Sequence, residues 1–306
     1  MMDHRISYIQ LIIHVVLFPV YFVMLKETRG SNILRQRAKK IRAETGKKAY
    51  TIEEKSGASH WVIFKTAIQR PSYMFVTEFV VFSMTMWSAF SVGLLYLFTQ
   101  STAQVFSGVY GWPAYSTGYI QGAVVVGVIC GYFVWLVIQK RLYFDSAKHN
   151  SEKPGTPIPE ARLYTAIPGS FIGMAGGMFL YAWTSYPSIP WIAPAIGLAL
   201  VGCGANLAVI ALGEYITDAY SMYAGSAVGV VAAGENIFSA FLPLAAQSMY
   251  TRLGFNWASS VLGFLALLIS VAPVVILIWG KTIRARSPFI KKAQYEIDKK
   301  EDSTVS

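Results

Sequence analysis

From residue 71 to 139, and again from 163 to 251, this chain contains no lysine or arginine. Charged residues make up 14% of it, against about 25% in an ordinary soluble domain. A water-soluble surface spreads its cations over every face, so gaps of this length exclude that class for most of the chain. Cysteine is scarce as well. Cys130 and Cys203 lie inside apolar stretches and in no Cys-x-x-Cys motif, so they read as small packing residues, not as a disulfide or a thiolate metal site. Of the four histidines only His14 falls in an apolar segment, and no carboxylate or cysteine stands near it. Asn-x-Ser/Thr sites are missing, as are a phosphate-binding glycine loop, metal-ligand spacing and a catalytic triad. These absences argue against an enzyme, and no cofactor or metal is expected.

What the chain does contain is apolar sequence, 54% by residue type. A helix needs roughly 20 such residues to cross about 30 Å of hydrocarbon. Seven segments qualify: 6–25, 74–99, 115–138, 164–184, 190–213, 222–246 and 257–280. The sixth is rich in glycine and alanine and carries Glu235. The expected fold is an all-α polytopic membrane protein of about seven transmembrane helices. The first segment runs Tyr21-Phe22-Val23-Met24-Leu25 straight into Lys26 with no small-residue cleavage site. It therefore reads as an uncleaved anchor, not a signal peptide.

The cations are sorted by loop. Twelve lie in 26–70, five in 140–162 and seven after residue 280, whereas the alternate loops hold only Arg5 and Arg252. Cytoplasmic loops carry the excess of lysine and arginine. This places the N-terminus outside and the C-terminus in the cytoplasm. The formal charge of +10 then belongs to the cytoplasmic face, where each cation near an anionic leaflet gains about 1 kcal/mol. The lipid bilayer is the expected partner, and no nucleic acid is called for.

The organisation read from this pattern is a lone helix over 1–25, a basic cytoplasmic linker over 26–72, a six-helix unit over 73–280 and a basic tail over 281–306. Within the linker, Ile33, Leu34, Ala38 and Ile41 fall near one face of a helix drawn over 33–44. That pattern suits an amphipathic helix on the membrane surface, or else a solvated charge run, and the tail admits the same two readings. Gly127 with Gly131, and Gly169, Gly173 and Gly177, are spaced as G-x-x-x-G. The sixth segment adds Ala224, Gly225, Ala227, Gly229, Ala232, Ala233 and Gly234. Lipid gives no hydrophobic drive for helix association, so small residues that let backbones meet predict a tightly packed bundle.

Polar groups inside the apolar segments are the candidate site. Carboxylates in lipid are costly and face a bundle interior, and Glu235, Glu78 and Glu214 are the candidates for proton coupling. The competing reading makes Glu235 a helix-packing residue beside Asn236 and Ser239, and makes Glu78 and Glu214 polar anchors or gate contacts. Candidates to line a substrate cavity are Trp87, Tyr96, Gln100, Gln121, Asn206 and Asn236, with Met84, Met86 and Phe90 as adaptable apolar surface.

A family resemblance enters on the loops. The linker reads Glu27-Thr28-Arg29-Gly30, then Arg35-Gln36-Arg37-Ala38-Lys39-Lys40-Ile41-Arg42 and Glu44-Thr45-Gly46. Further along stand Arg70-Pro71, Thr77-Glu78, Tyr110-Gly111-Trp112, Pro159-Glu160-Ala161-Arg162-Leu163, Asp218-Ala219-Tyr220, Trp257-Ala258-Ser259-Ser260 and Ile283-Arg284-Ala285-Arg286-Ser287. In this order the chain resembles the fungal drug:proton antiporters of the major facilitator superfamily, the twelve-span exporters of the multidrug and cycloheximide-resistance kind.

The resemblance implies a register. The first helix here corresponds to the family's sixth, the next six to its seventh through twelfth, and the long linker to the loop joining its two halves. The motifs of the N-terminal half have no counterpart, and Gln139-Lys140-Arg141 keeps basic character without the family's Gly-Arg pattern. The implied function is proton-coupled efflux of hydrophobic small molecules such as drugs, toxins or secondary metabolites, from the plasma membrane. Alternating access needs two six-helix units, so the chain is expected to be truncated and inactive without an N-terminal half. The alternatives are a non-transporting membrane fragment and a seven-helix receptor. The long linker argues against the receptor, and no apolar segment offers a lysine for a retinal Schiff base.

Overall fold

A computed structural model describes residues 2–24, 30–46, 50–51, 60–150 and 154–293, and among these there is helix but no strand. The chain divides into two units, Met1–Thr66 and Ala67–Ser306. In the first, α1 (Met2–Met24) is apolar and exposed all round from Tyr8 to Phe22, as suits a helix whose solvent is lipid. Helix α2 (Gly30–Thr45) contains the 33–44 segment, leaves Ile33, Leu34 and Ile41 exposed, and ends at Gly46, whose φ of 64° is a left-handed cap.

Helix α3 (His60–Thr77) crosses the division and brings Met74 into the core of the second unit. At Glu78 the backbone opens to φ −105° and ψ 106°, and α4 (Phe79–Tyr110) starts afresh. The hydropathy pattern put this span at 74–99, and the structure carries it on to Tyr110. Ser101 and Thr102 lower the hydropathy there, yet both are buried, and the Thr102 hydroxyl satisfies itself within the helix by donating to the Phe98 carbonyl at 2.5 Å. Gly111, at φ 66°, stops it.

Helix α5 (Ala114–Val134) widens into a π-helical turn over Trp135–Gln139 and resumes as α6 (Lys140–Ser146). The next rod opens with a 3-10 turn at Pro159–Leu163, passes a π-helical stretch at Gly169–Gly176 and closes as α7 (Gly177–Thr184). Helix α8 spans Ile192–Tyr220, α9 spans Ala224–Ile269 and α10 spans Val271–Arg286. Gly254, at φ 77° and ψ 162°, breaks α9 in the gap between the sixth and seventh apolar segments. Among the described residues, four helical runs are long and apolar enough to cross a membrane: Phe79–Tyr110, Tyr115–His149, Pro159–Thr184 and Ile192–Arg286. The last is interrupted at Ser221 and Gly254.

Helix α4 forms the centre of the second unit. It is buried on nearly every side, packing most extensively on α9 and also on α8 and α5. Helix α8 is the second hub, and glycine decides how close its neighbours come. Gly204 and Gly197 lie against the backbone of the 159–184 rod, with Gly173 and Gly177 opposite, and Gly202 lies against α5. A Cβ on Gly202 would stand 2.6 Å from the Val124 carbonyl oxygen, and one on Gly173 would stand 2.9 Å from the Gly204 Cα. The expected tight packing is therefore realised for the G-x-x-x-G glycines. It is only half realised in the sixth segment. There Ala227 is buried and Gly234 meets Thr85, while Gly225 and Gly229 face open space. The helical repeat puts these two on the opposite side of α9 from the α4 contact.

Candidate functional site

In the first third of α4, Trp87 and Ser88 are fully buried and point to different helices. The Trp87 indole Nε1 donates to Ser170 Oγ at 3.0 Å, tying α4 to the 159–184 rod. The Ser88 hydroxyl donates to Glu235 Oε1 on α9. Gly234 makes that contact possible, because a Cβ there would lie 2.6 Å from the Thr85 methyl and push the helices apart. Glu235 itself is half-buried, and among the described residues it meets no cation. Ser239 Oγ caps the Glu235 carbonyl at 2.6 Å.

The other cavity candidates are placed differently. Asn206 donates to the Val128 carbonyl at 3.2 Å and so ties α8 to α5. Asn236 is exposed and its amide returns to its own helix at the Ala232 carbonyl, 2.8 Å away. Tyr96, near the middle of α4, and Gln100, about one turn further on, are exposed, and Gln121 is half-buried on α5. Met84 and Phe90 are buried in the core, with Met86 half-buried beside them.

Glu78 and Glu214 belong to a polar girdle at the basic end of the bundle. Arg162 reaches Glu214 at 3.0 Å and Asp218 at 2.9 Å, and its guanidinium lies 3.4 Å from the Tyr143 ring centroid. Tyr143 donates to Asp218 at 2.9 Å and Trp135 to Glu214 at 3.2 Å. Glu160 takes two bonds from Arg284, at 2.7 and 3.1 Å, and packs against Gly280, where a side chain would overlap it. Glu78 is buried at the α3–α4 break and accepts from Tyr220 at 3.1 Å, Ser287 at 2.8 Å and the Phe289 amide at 3.4 Å. The Phe289 ring lies tilted against Tyr73 and edge-on to Tyr223. Gln139 closes the girdle, donating to the Ala161 carbonyl at 2.6 Å and accepting from Thr165 Oγ1 at 2.7 Å.

Comparison with known proteins gives this arrangement a family. Over 270 residues, 88% of the chain and 53% of the relative, it is 33% identical to the MFS transporter cpaT of Aspergillus oryzae. It is 34% identical over 269 residues, 87% of the chain and 43% of the relative, to the major facilitator superfamily multidrug transporter FLU1 of Candida albicans. To the multidrug transporter mdrA of Aspergillus fumigatus it is 33% identical over 276 residues, 89% of the chain and 44% of the relative. The chain belongs to the major facilitator superfamily. It is a multi-pass membrane protein and spans about half the length of the curated relatives it matches. No protein-family model matches it, and no solved structure does.

Several of the residues that carried the family resemblance belong to the girdle. Glu160, Arg162, Asp218, Arg284 and Ser287 all stand in the loop motifs, yet sequence reasoning gave none of them a role. The available signal was position: each is a charged or hydroxyl residue at a helix end, next to an apolar segment that will not solvate it. Reading them as loop landmarks left their pairing unseen, because each partner lies on a different helix.

The Glu78 contacts yield a direct test in this superfamily member. Glu78→Ala strips the partner from two buried hydroxyls and an amide, at about 1–3 kcal/mol. The 287–293 segment is expected to open more often, and trypsin cleavage after the exposed Lys291 and Lys292 to quicken roughly tenfold, since cleavage follows the open population. An unchanged digestion rate would show that Glu78 does not hold the tail.

Proposed function

We propose that the helices of 73–280 form one six-helix half of a secondary transporter that exports hydrophobic small molecules in exchange for protons. The contact between Ser88 and Glu235 is the observation that carries this reading. It joins α4 to α9, the most extensively packed helix pair, through an intramembrane carboxylate free of any cation among the described residues. Glu78 and Glu214 fit the role less well, since a buried lattice and Arg162 hold them. Protonation of Glu235 exchanges an acceptor for a donor at the Ser88 hydroxyl and so changes how α4 and α9 bind each other.

The names of FLU1 and mdrA support a multidrug substrate class. The exposed Tyr96, Gln100 and Asn236 and the half-buried Gln121 are assigned to the substrate cavity. Trp87 and Asn206 act as ties between helices. The reading includes seven spans, an outside N-terminus and a cytoplasmic 26–72 linker joining the halves, supported by the segregation of the cations, and residence in the plasma membrane, as the family resemblance implies. Transport by this half requires an N-terminal half to complete the alternating-access pair.

Proteoliposomes test the proposal. The chain, alone and joined to the N-terminal half of a matched relative such as cpaT, is loaded with a lipophilic fluorescent dye under an imposed pH gradient. The joined form is expected to move dye in a gradient-dependent manner and the chain alone to move none. Glu235→Gln in the joined form is expected to abolish the gradient dependence while dye binding persists. Gradient dependence surviving in that variant removes Glu235 from the mechanism.

A further inference from the structure

The cations at the basic end of the second unit are mostly engaged by carboxylates. Arg162 is held by Glu214 and Asp218, Arg284 by Glu160, and Lys148 by Asp145 at 2.8 Å. Lys140 and Arg141 are different. Both are exposed, and among the described residues neither meets a carboxylate. The cause is local. In the π-helical turn Trp135–Gln139 the Gln139 amide is turned inward and locked onto Ala161 and Thr165. That fixes the rotation of the helix and sends the next two side chains out of the bundle together.

They do not emerge onto a polar face. Leu136, Val137 and Phe144 share their side of the helix at spacings of about one turn and are 39%, 49% and 59% exposed. With Lys140, Arg141 and Asp145 these residues line a cleft of about 500 Å³. The one carboxylate in the lining, Asp145, is already paired with Lys148. The cleft therefore presents two adjacent, uncompensated positive charges against an apolar wall, at the end of a helical run apolar enough to cross a membrane.

We propose that this cleft is a binding site for an anionic glycerophospholipid, with the headgroup phosphate between Lys140 and Arg141 and an acyl chain along Leu136 and Val137. Two like charges on consecutive residues repel unless an anion lies between them, and the surrounding low-dielectric medium strengthens both the repulsion and its relief. A small soluble anion satisfies the charges and leaves the wall bare. A phospholipid satisfies both, and basic pockets on the membrane-facing side of spanning helices take such headgroups. A single cation reaching to the interface on its own needs no such site. The paired placement beside three exposed apolar side chains is what distinguishes the cleft.

The full chain, purified in detergent doped with phosphatidylserine or phosphatidylcholine, is examined by native mass spectrometry for retained lipid. Phosphatidylserine is expected to be held roughly thirtyfold better, about fivefold for each cation. The K140Q/R141Q variant is expected to lose that preference. K291Q/K292Q removes the same charge from two exposed lysines elsewhere and is expected to keep it. Phe144→Ala is expected to weaken retention of phosphatidylserine roughly fivefold through lost wall contact. Equal loss in K140Q/R141Q and K291Q/K292Q reduces the effect to overall charge and overturns the proposal. So does full displacement of the lipid by millimolar inorganic phosphate, which makes the cations a free-anion site, or an unaltered lipid preference in K140Q/R141Q. All four proteins are compared at matched thermal unfolding, which these exposed positions are not expected to change.

Discussion

Gly204→Leu is expected to prevent the six-helix unit from reaching its folded form in the membrane. A Cβ at 204 would overlap the Gly169 carbonyl oxygen and stand 2.6 Å from the Met174 amide nitrogen. Both obstacles are backbone, so no rotamer change clears them, and a leucine adds three further carbons. The cost lies at or beyond the roughly 3 kcal/mol that overpacking usually reaches. It also falls where association depends on close packing, because lipid supplies no hydrophobic drive to offset it. Gly127→Leu, on α5 against another face of α8, meets the Ala199 carbonyl and shares the fate. Gly229→Leu is the matched comparison: open space surrounds that glycine, and its unfolding is expected to stay within about 0.5 kcal/mol of the parent. Gel filtration and thermal unfolding in detergent decide the matter. A Gly204→Leu protein that is monodisperse and unfolds with the parent would refute the packing assigned to α8.

Breaking the Glu160–Arg284 pair carries the second large expected effect. The two side chains are only 6% and 11% exposed and share two bonds. Glu160→Ala removes the buried carboxylate that the Arg284 guanidinium is bonded to, at about 3–5 kcal/mol. Glu160→Met with Arg284→Met together removes both charges and is expected to recover most of the loss, since a buried ion pair offers little over apolar packing of similar volume. The exposed Asp145–Lys148 pair gives the contrast, and Lys148→Gln is expected to leave unfolding unchanged. If Glu160→Ala melts with Lys148→Gln, the pair does not hold the girdle together.

The candidate site was legible only in part. Glu235 stood out because a carboxylate in an apolar segment is costly wherever it lies. Its partner Ser88, 147 residues away, is an ordinary hydroxyl in a helix and gave no signal. Trp87 and Asn206 were singled out as cavity residues for being polar-capable inside spans, and the structure uses both as ties between helices. Polarity in a span shows that a partner is needed. It does not show whether that partner is a ligand or another helix.

Partition between water and lipid is paid residue by residue, so apolar runs and the sorting of lysine and arginine were enough to mark a helical membrane protein before any helix was placed. Glycine spacing announced close packing for the same local reason. Which glycines face a neighbour was decided by the rotation of each helix, and that depends on all its contacts at once: Gly234 meets Thr85, while Gly229, on the same apolar segment, meets nothing. The girdle was likewise a product of tertiary structure. Ser287 and Glu78 are 209 residues apart, and Glu160 and Arg284 are 124. Charge composition put cations at one end of the bundle. Only the packed helices determined that Arg162 and Arg284 are neutralised there while Lys140 and Arg141 are left facing outward.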